Sequence, residues 1–369
     1  ETQVLTVTAV SSDTSLIANP TITYTSADAS GSLVYVPKAD QHGTATITLT
    51  VQDDGGTSNS GVDLVTTSFS VTVTSVNDVP TMTALEDLTI LEDADQQTVS
   101  LAGIGSGAAN ESQTLTLTVT SSNTDLIPNP QLTYTSPENT GSIVFTPVAD
   151  NYGTTTITIK VADSGGITSG GVDTLITSFN VAVTAVNDIP LIASLDDLTI
   201  LEDAAAQSVS LSSIGSGKEN ETQAITITAV SSDTTLIANP TISYSSPAGD
   251  GSLAYISKPD QYGSATITIT VQDDGGTENN GLDQDTTTFT VTVTPVNDVP
   301  TITALEDLTI LEDAAEQTVS LAGIGSGKTN ETQVLTVTAV SSDTSLIANP
   351  TITYTSADAS GSLVYVPKA

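Results

Sequence analysis

The chain is expected to be all-β, built as a linear array of tandem antiparallel β-sandwiches, and three observations lead there. The sequence repeats at a fixed period, apolar residues alternate with Thr and Ser through much of each repeat, and no stretch carries a 3.6-residue apolar stripe of useful length. The period shows itself twice. Residues 331–369 reproduce residues 1–39 letter for letter, and the motif VNDxP recurs at Val76, Val186 and Val296, 110 residues apart. Glu1, Glu111, Glu221 and Glu331 share one phase, so the chain opens and closes partway through a repeat.

The expected modules are therefore 1–78, the C-terminal part of a sandwich; 79–188 and 189–298, both complete; and 299–369, the N-terminal part of a fourth. A repeat of 110 residues is long enough to bury its own core, so each should fold as a domain rather than as one coil of a solenoid.

Within 79–188 the strands follow from period two. TLTLTVT (114–120), TTTITIKV (154–161) and SFNVAVTAV (178–186) place Leu, Ile and Val on one face and Thr, Ser or Lys on the other, as half-buried strands require. LTIL (88–91), QTVSL (97–101), QLTYTS (131–136) and SIVFTP (142–147) are shorter candidates. Gly and Pro turn signals at Gly103, Pro128, Pro137, Asp150 and Asp163 separate them. About seven short strands in one repeat predict a two-sheet sandwich. Tyr24, Tyr134, Tyr244 and Tyr354 share one slot and Phe69, Phe179 and Phe289 another, both expected to be core or sheet-face positions. Tyr152 and Tyr262 precede the Gly of a DxYG turn, a placement that predicts a tyrosine corner; His42 fills that slot in the first repeat and is expected to be a turn residue rather than a ligand.

Charge narrows the function classes. With 43 acidic residues, six Lys and one His, the formal charge is -37, which repels nucleic acid and anionic membranes alike and favours a hard divalent cation as small partner. Hydrophobic content of 37% opposes disorder in spite of that charge. No Cys is present, and no run approaches the roughly 20 apolar residues of a membrane span, so no direct membrane insertion is expected in this sequence. With no Cys and a single His that no other repeat shares, a nucleophile–base pair cannot be assembled repeatedly, and no enzyme is expected. Asn110, Asn220 and Asn330 open N-E-S or N-E-T sequons in one loop, which duplication explains. The loop from Asp163 to Asp173 lacks the ligand positions of an EF-hand and is expected to be a flexible hairpin loop.

The stretch ADQHGTATITLTVQDDGGTSNSGVDLVTTSFSVTVTSVNDVP, followed by LTILEDA, resembles the cadherin-like and related immunoglobulin-like tandem repeats of giant bacterial surface proteins and adhesins. The resemblance spans every repeat and rests on VNDxP, an acidic pair in the first strand and a D-x-x-G to D-x-G-G stretch, all in register. It implies sandwiches joined head to tail, an extracellular location, cell adhesion as the setting, and Ca²⁺ at the junctions.

The ligand set that this resemblance implies departs from the family pattern. Of the cadherin linker D-x-N-D, the last two letters survive as Asn77 with Asp78, Asn187 with Asp188, and Asn297 with Asp298, while Ser75, Ala185 and Pro295 replace the leading Asp. The first-strand glutamate matches Glu92, Glu202 and Glu312, each followed by Asp. Asp13, Asp233 and Asp343 keep one acid of a pair, with Asn123 in the second repeat. Asp40, Asp150 and Asp260 remain from the D-R-E turn, and Asp53, Asp163 and Asp273 precede the last hairpin. The implication is one or two ions per junction rather than three, each needing about six to eight oxygens at about 2.3–2.6 Å. The same acids can equally cap turns and solvate loop tips.

The function expected from these readings is a stalk or spacer of an extracellular repeat protein, stiffened by Ca²⁺, with each module adding about 40 Å from strands of about 8 to 10 residues. Its partners would be the neighbouring repeats of the same chain. Two alternatives stay open: a filament subunit that shares strands or domains with other copies, and a multivalent glycan- or receptor-binding module.

Overall fold

The computed structural model describes residues 2–368 and is all-β, with no α-helix among the described residues. It divides into two compact units, Glu1–Ala185 and Val186–Ala369. The complete module of the second is described first.

Two sheets face each other across that core. Leu198–Leu201, Gln284–Thr294, Gly263–Asp273 and Ile225–Ser231 form one, in that spatial order; Gln207–Leu211, Gly251–Tyr255 and Thr241–Ser243 form the other. Alternation decides which way each strand faces. In Gly263–Asp273, Ala265, Ile267, Ile269 and Val271 are buried while Thr266, Thr268 and Thr270 face outward. Placing one Ile inside in this way contributes about 1.5–3 kcal/mol. Leu211, Leu236, Ile237, Leu253, Phe289, Val291 and Val293 complete the packing from both sheets and the loops between them.

One pairing departs from the antiparallel expectation. Leu198–Leu201 lies parallel to the last strand, with Leu198 opposite Val291 and Leu201 opposite Thr294. The chain enters the module beside the hairpin from which Gln284–Thr294 starts, where Asn187 bonds Asp273 and Leu282, and leaves at the opposite end, so a first strand alongside the last shares its direction. The equivalent pair in the first unit, Leu88 opposite Val181, is parallel too. All other strand pairs are antiparallel, so the sandwich class stands.

In the first unit, residues 82–183 enclose an equivalent core around Leu101, Ile127, Ile143, Ile157, Ile159 and Phe179. Residues 1–78 carry Leu5–Ser11, Gly43–Asp53 and Leu64–Val73 as one sheet and Thr21–Thr23 with Ser32–Val34 as a hairpin. Phe69 in this segment is 41% exposed, whereas Phe179 and Phe289 in the complete modules are 3% and 2% exposed.

The tyrosine corner is corrected. Tyr152 and Tyr262 are 55% and 51% exposed and donate no hydrogen bond among the described residues, because the turn directs their rings out of the module end rather than into its core. Gly263, which follows, has φ +141, a conformation that side-chain-bearing residues rarely adopt, and this fixes the Gly of DxYG.

Candidate metal centre at the module junctions

The motif VNDxP ends one module and opens the next. In the second unit, Glu202 follows the parallel strand Leu198–Leu201 and its carboxylate is drawn inside, 3% exposed. It accepts hydrogen bonds from the Val296 N–H at 2.5 Å and from Asn330 Nδ2 at 3.1 Å. One glutamate therefore ties the 189–298 module both to its own exit segment and to the module beyond.

Beside it lie Asp203, Asp260 and Asp298, with a carboxylate oxygen from each within 4.8 Å of the others. Asp203 and Asp260 both adopt left-handed backbone, φ 58 and φ 57, and the Asp260 N–H donates to Asp203 Oδ1 at 3.0 Å. Asp is one of the few side-chain-bearing residues that adopt this conformation readily, as tight turns require. The Asp298 N–H donates to Glu331 Oε1 at 2.7 Å. Asp298 Oδ2, Asn330 Oδ1 and Glu331 Oε2 are buried and have no hydrogen-bond partner. Buried carboxylate oxygens without donors are costly, and a cation is the simplest group that satisfies several at once.

The first unit shows a related arrangement where 1–78 meets 79–185. Asp40, His42, Val76, Asp78 and Asn110 line a cleft of about 170 Å³ there. His42 Nδ1 and Asn110 Nδ2 are 3.5 Å apart, and the Asp78 N–H donates to Glu111 Oε1 at 3.0 Å. Position 108, which is Lys in the later repeats (Lys218, Lys328), is Ala108 here.

The other residues implicated by sequence lie as follows. Asn77 turns into the module that follows it: its Nδ2 donates to Asp163 Oδ1 at 2.9 Å and to the Val172 carbonyl at 2.8 Å, and its Oδ1 accepts from Gln113 Nε2 at 2.8 Å. Asn187 repeats this with Asp273 at 3.0 Å, Leu282 at 2.7 Å and Gln223 at 2.9 Å. These asparagines and aspartates therefore pin the module entrance to its last hairpin. The Oδ2 atoms of Asp163 and Asp273 remain buried without a hydrogen-bond partner. Asn297 donates instead to the Asp298 carbonyl at 3.0 Å.

Glu92 is 3% exposed, and the Asp150 N–H donates to Asp93 Oδ1 at 3.0 Å, as in the later repeat. The Asp188 N–H donates to Glu221 Oε1 at 2.9 Å. Asp233 caps its own turn, accepting from the Thr235 hydroxyl at 2.6 Å and the Thr235 and Leu236 N–H groups at 2.9 and 3.2 Å. The Thr235 hydroxyl and backbone bonds hold its carboxyl below the usual range, as the Ser15 and Ser345 bonds do for Asp13 and Asp343.

Sequence reasoning missed Glu111, Glu221 and Glu331 as structural acids, and Asn330 and Lys328 as junction residues. The amide nitrogen of Asn330, which opens a sequon, is held by Glu202. Recurrence at one phase was the available signal for all of them.

No protein-family model and no curated protein matches this sequence. Among solved structures, the human desmocollin-1 ectodomain aligns at 13% identity over 87% of this chain and 58% of its own, with a TM-score of 0.33. Mouse protocadherin-24 ectodomains align at 14% identity over 78% of this chain and 90% of that one, TM-score 0.36. An endo-fucoidan hydrolase aligns at 18% identity over 79% of this chain, which spans 39% of that enzyme, TM-score 0.24. The chain is similar to cadherin ectodomains and other sandwich repeats in the build of its modules. No helix among the described residues is long and apolar enough to cross a membrane.

Proposed function

We propose that this chain is a non-enzymatic spacer of an extracellular, adhesion-type repeat protein, in which divalent cations, Ca²⁺ foremost, hold successive sandwiches at fixed angles. The observation that carries this reading is the junction at Asp298, where three carboxylates converge beside buried oxygens of Asp298, Asn330 and Glu331 that lack donors. Those oxygen-only ligands fit a hard cation better than a transition metal. Asp203, Asp260, Asp298 and Glu331 would hold the ion with the Asn330 carbonyl, while Glu202 orients Asn330 from behind. The ion would supply positive charge that lets acids from two modules approach without repulsion.

The partners of each module are then its neighbours in the same chain, and the formal charge of -37 disfavours nucleic acid. Small-angle scattering of the chain with calcium and then with excess EGTA tests the reading. Chelation is expected to shorten the maximum dimension and broaden the distance distribution as junctions loosen. An unchanged profile removes the calcium part and leaves the sandwich array.

A further inference from the structure

The junction at Asp298 already contains one cation of its own. Lys328 belongs to the 299–369 module, yet its Nζ reaches across to Asp260 in 189–298, at 2.8 Å from Oδ1 and 2.9 Å from Oδ2. Asp260 is one of the three clustered carboxylates. The ion pair with Asp260 foremost, and the charges of Asp298 and Asp203 after it, raise the basicity of the ammonium, which stays charged. The lysine makes no hydrogen bond to Asp298 Oδ2, Asn330 Oδ1 or Glu331 Oε2, which remain buried without donors.

We propose that Lys328 is a tethered counter-ion that occupies one of the cation positions of this junction, so that the residue at this phase of the repeat sets how strongly each junction takes a divalent ion. The inference rests on the calcium reading above and specifies its regulation.

The charge balance supports it: the ammonium offsets one of the five carboxylate charges of Glu202, Asp203, Asp260, Asp298 and Glu331, so a junction without it presents one more uncompensated negative charge to ions from solution. The sequence varies at this point alone among the junction positions that bear charge in 299–369. Lys218 and Lys328 share the phase, and Ala108 takes it in the repeat that follows Asp78. A junction with Ala recruits all its positive charge from solution and responds steeply to calcium; a junction with Lys is partly closed without it. Lys328 has 45% of its side chain exposed, and Asp260 27%, so the ammonium can be displaced or bypassed by an entering ion.

Terbium luminescence sensitised by Tyr262, which is 51% exposed and two residues from Asp260, reports on this junction in the intact chain. Tyr152→Phe removes the equivalent sensitiser of the preceding repeat. In that background, Lys328→Met is expected to bind terbium on the order of tenfold more tightly than the parent, with calcium displacing it, because one positive charge beside the ion is gone. Lys328→Arg keeps the charge and should stay near the parent. An unchanged or weaker midpoint in Lys328→Met, or equal tightening in Lys328→Arg, overturns the proposal while leaving calcium binding intact. Absence of terbium binding in every form overturns the calcium reading and this inference with it.

Discussion

Phe289→Ala is expected to destabilise the 189–298 module by about 3–5 kcal/mol, the range for removing a buried aromatic and leaving a void. The ring is 2% exposed and lies 6.5 Å, centroid to centroid, from Tyr255 of the facing sheet, so its loss empties space that both sheets define. Phe69→Ala, at the same slot in 1–78, should cost about 1 kcal/mol or less, because a 41% exposed ring already forgoes much of its transfer free energy. Urea unfolding of the two variants, compared at constant slope against the parent, reads this difference as a shift in the midpoint of one transition and not the other. Equal losses would mean that the two phenylalanines occupy equivalent cores and that the contrast in exposure has no energetic content.

Glu202→Ala carries the second large effect. Its carboxylate is the acceptor for the Val296 N–H and for the Asn330 amide, and at 3% exposure water does not replace it. Each donor orphaned in this way costs about 1–3 kcal/mol. Because one partner lies in each adjoining module, the loss should appear as faster hydrogen exchange at Val296 and at the Asn330 side chain, with the core amides of Gly263–Asp273 unchanged. Glu202→Gln keeps one acceptor oxygen and should fall between the parent and Glu202→Ala. Exchange that rises uniformly through 189–298 would mark Glu202 as a core residue rather than a link between modules.

The sandwich was legible in the sequence because its signal is carried by many residues at once. Alternation in GTTTITIKVAD and in GSATITITVQD specifies both the strand and its inner face, and the strands Gly153–Asp163 and Gly263–Asp273 follow it residue by residue. The parallel first strand was not legible, since LTIL has the same pattern in either direction and only the chain path decides its partner. Tyr152 and Tyr262 misled for a similar reason: a turn aromatic before Gly marks a corner, but not whether the ring points into the core or out of the end.

At the junction, the acids were visible as recurring letters while their division of labour was not. Asn77 and Asn187 keep the family letters, yet their Nδ2 atoms hold the last hairpin of the module that follows while Oδ1 accepts from Gln113 and Gln223. Asp233 satisfies its own turn through Thr235, a local bond that short polar side chains form wherever the next residues offer donors. Glu331, Asn330 and Lys328 sit in a segment that reads as a loop with a sequon, and only the three-dimensional return of that loop to Asp298 and Glu202 gives them a role. Side chains that meet across 68 or 128 positions recur at one phase of the repeat, but the local pattern does not say which partner each one meets.

The central claim is that oxygens from two modules at Asp298 share a divalent ion, and anomalous scattering from calcium-loaded crystals tests it most directly. The account predicts one compact peak about 2.3–2.6 Å from Asp298 Oδ2 and from oxygens of Asn330 or Glu331. Those oxygens hydrated by water alone, with no anomalous peak at saturating calcium, would contradict it.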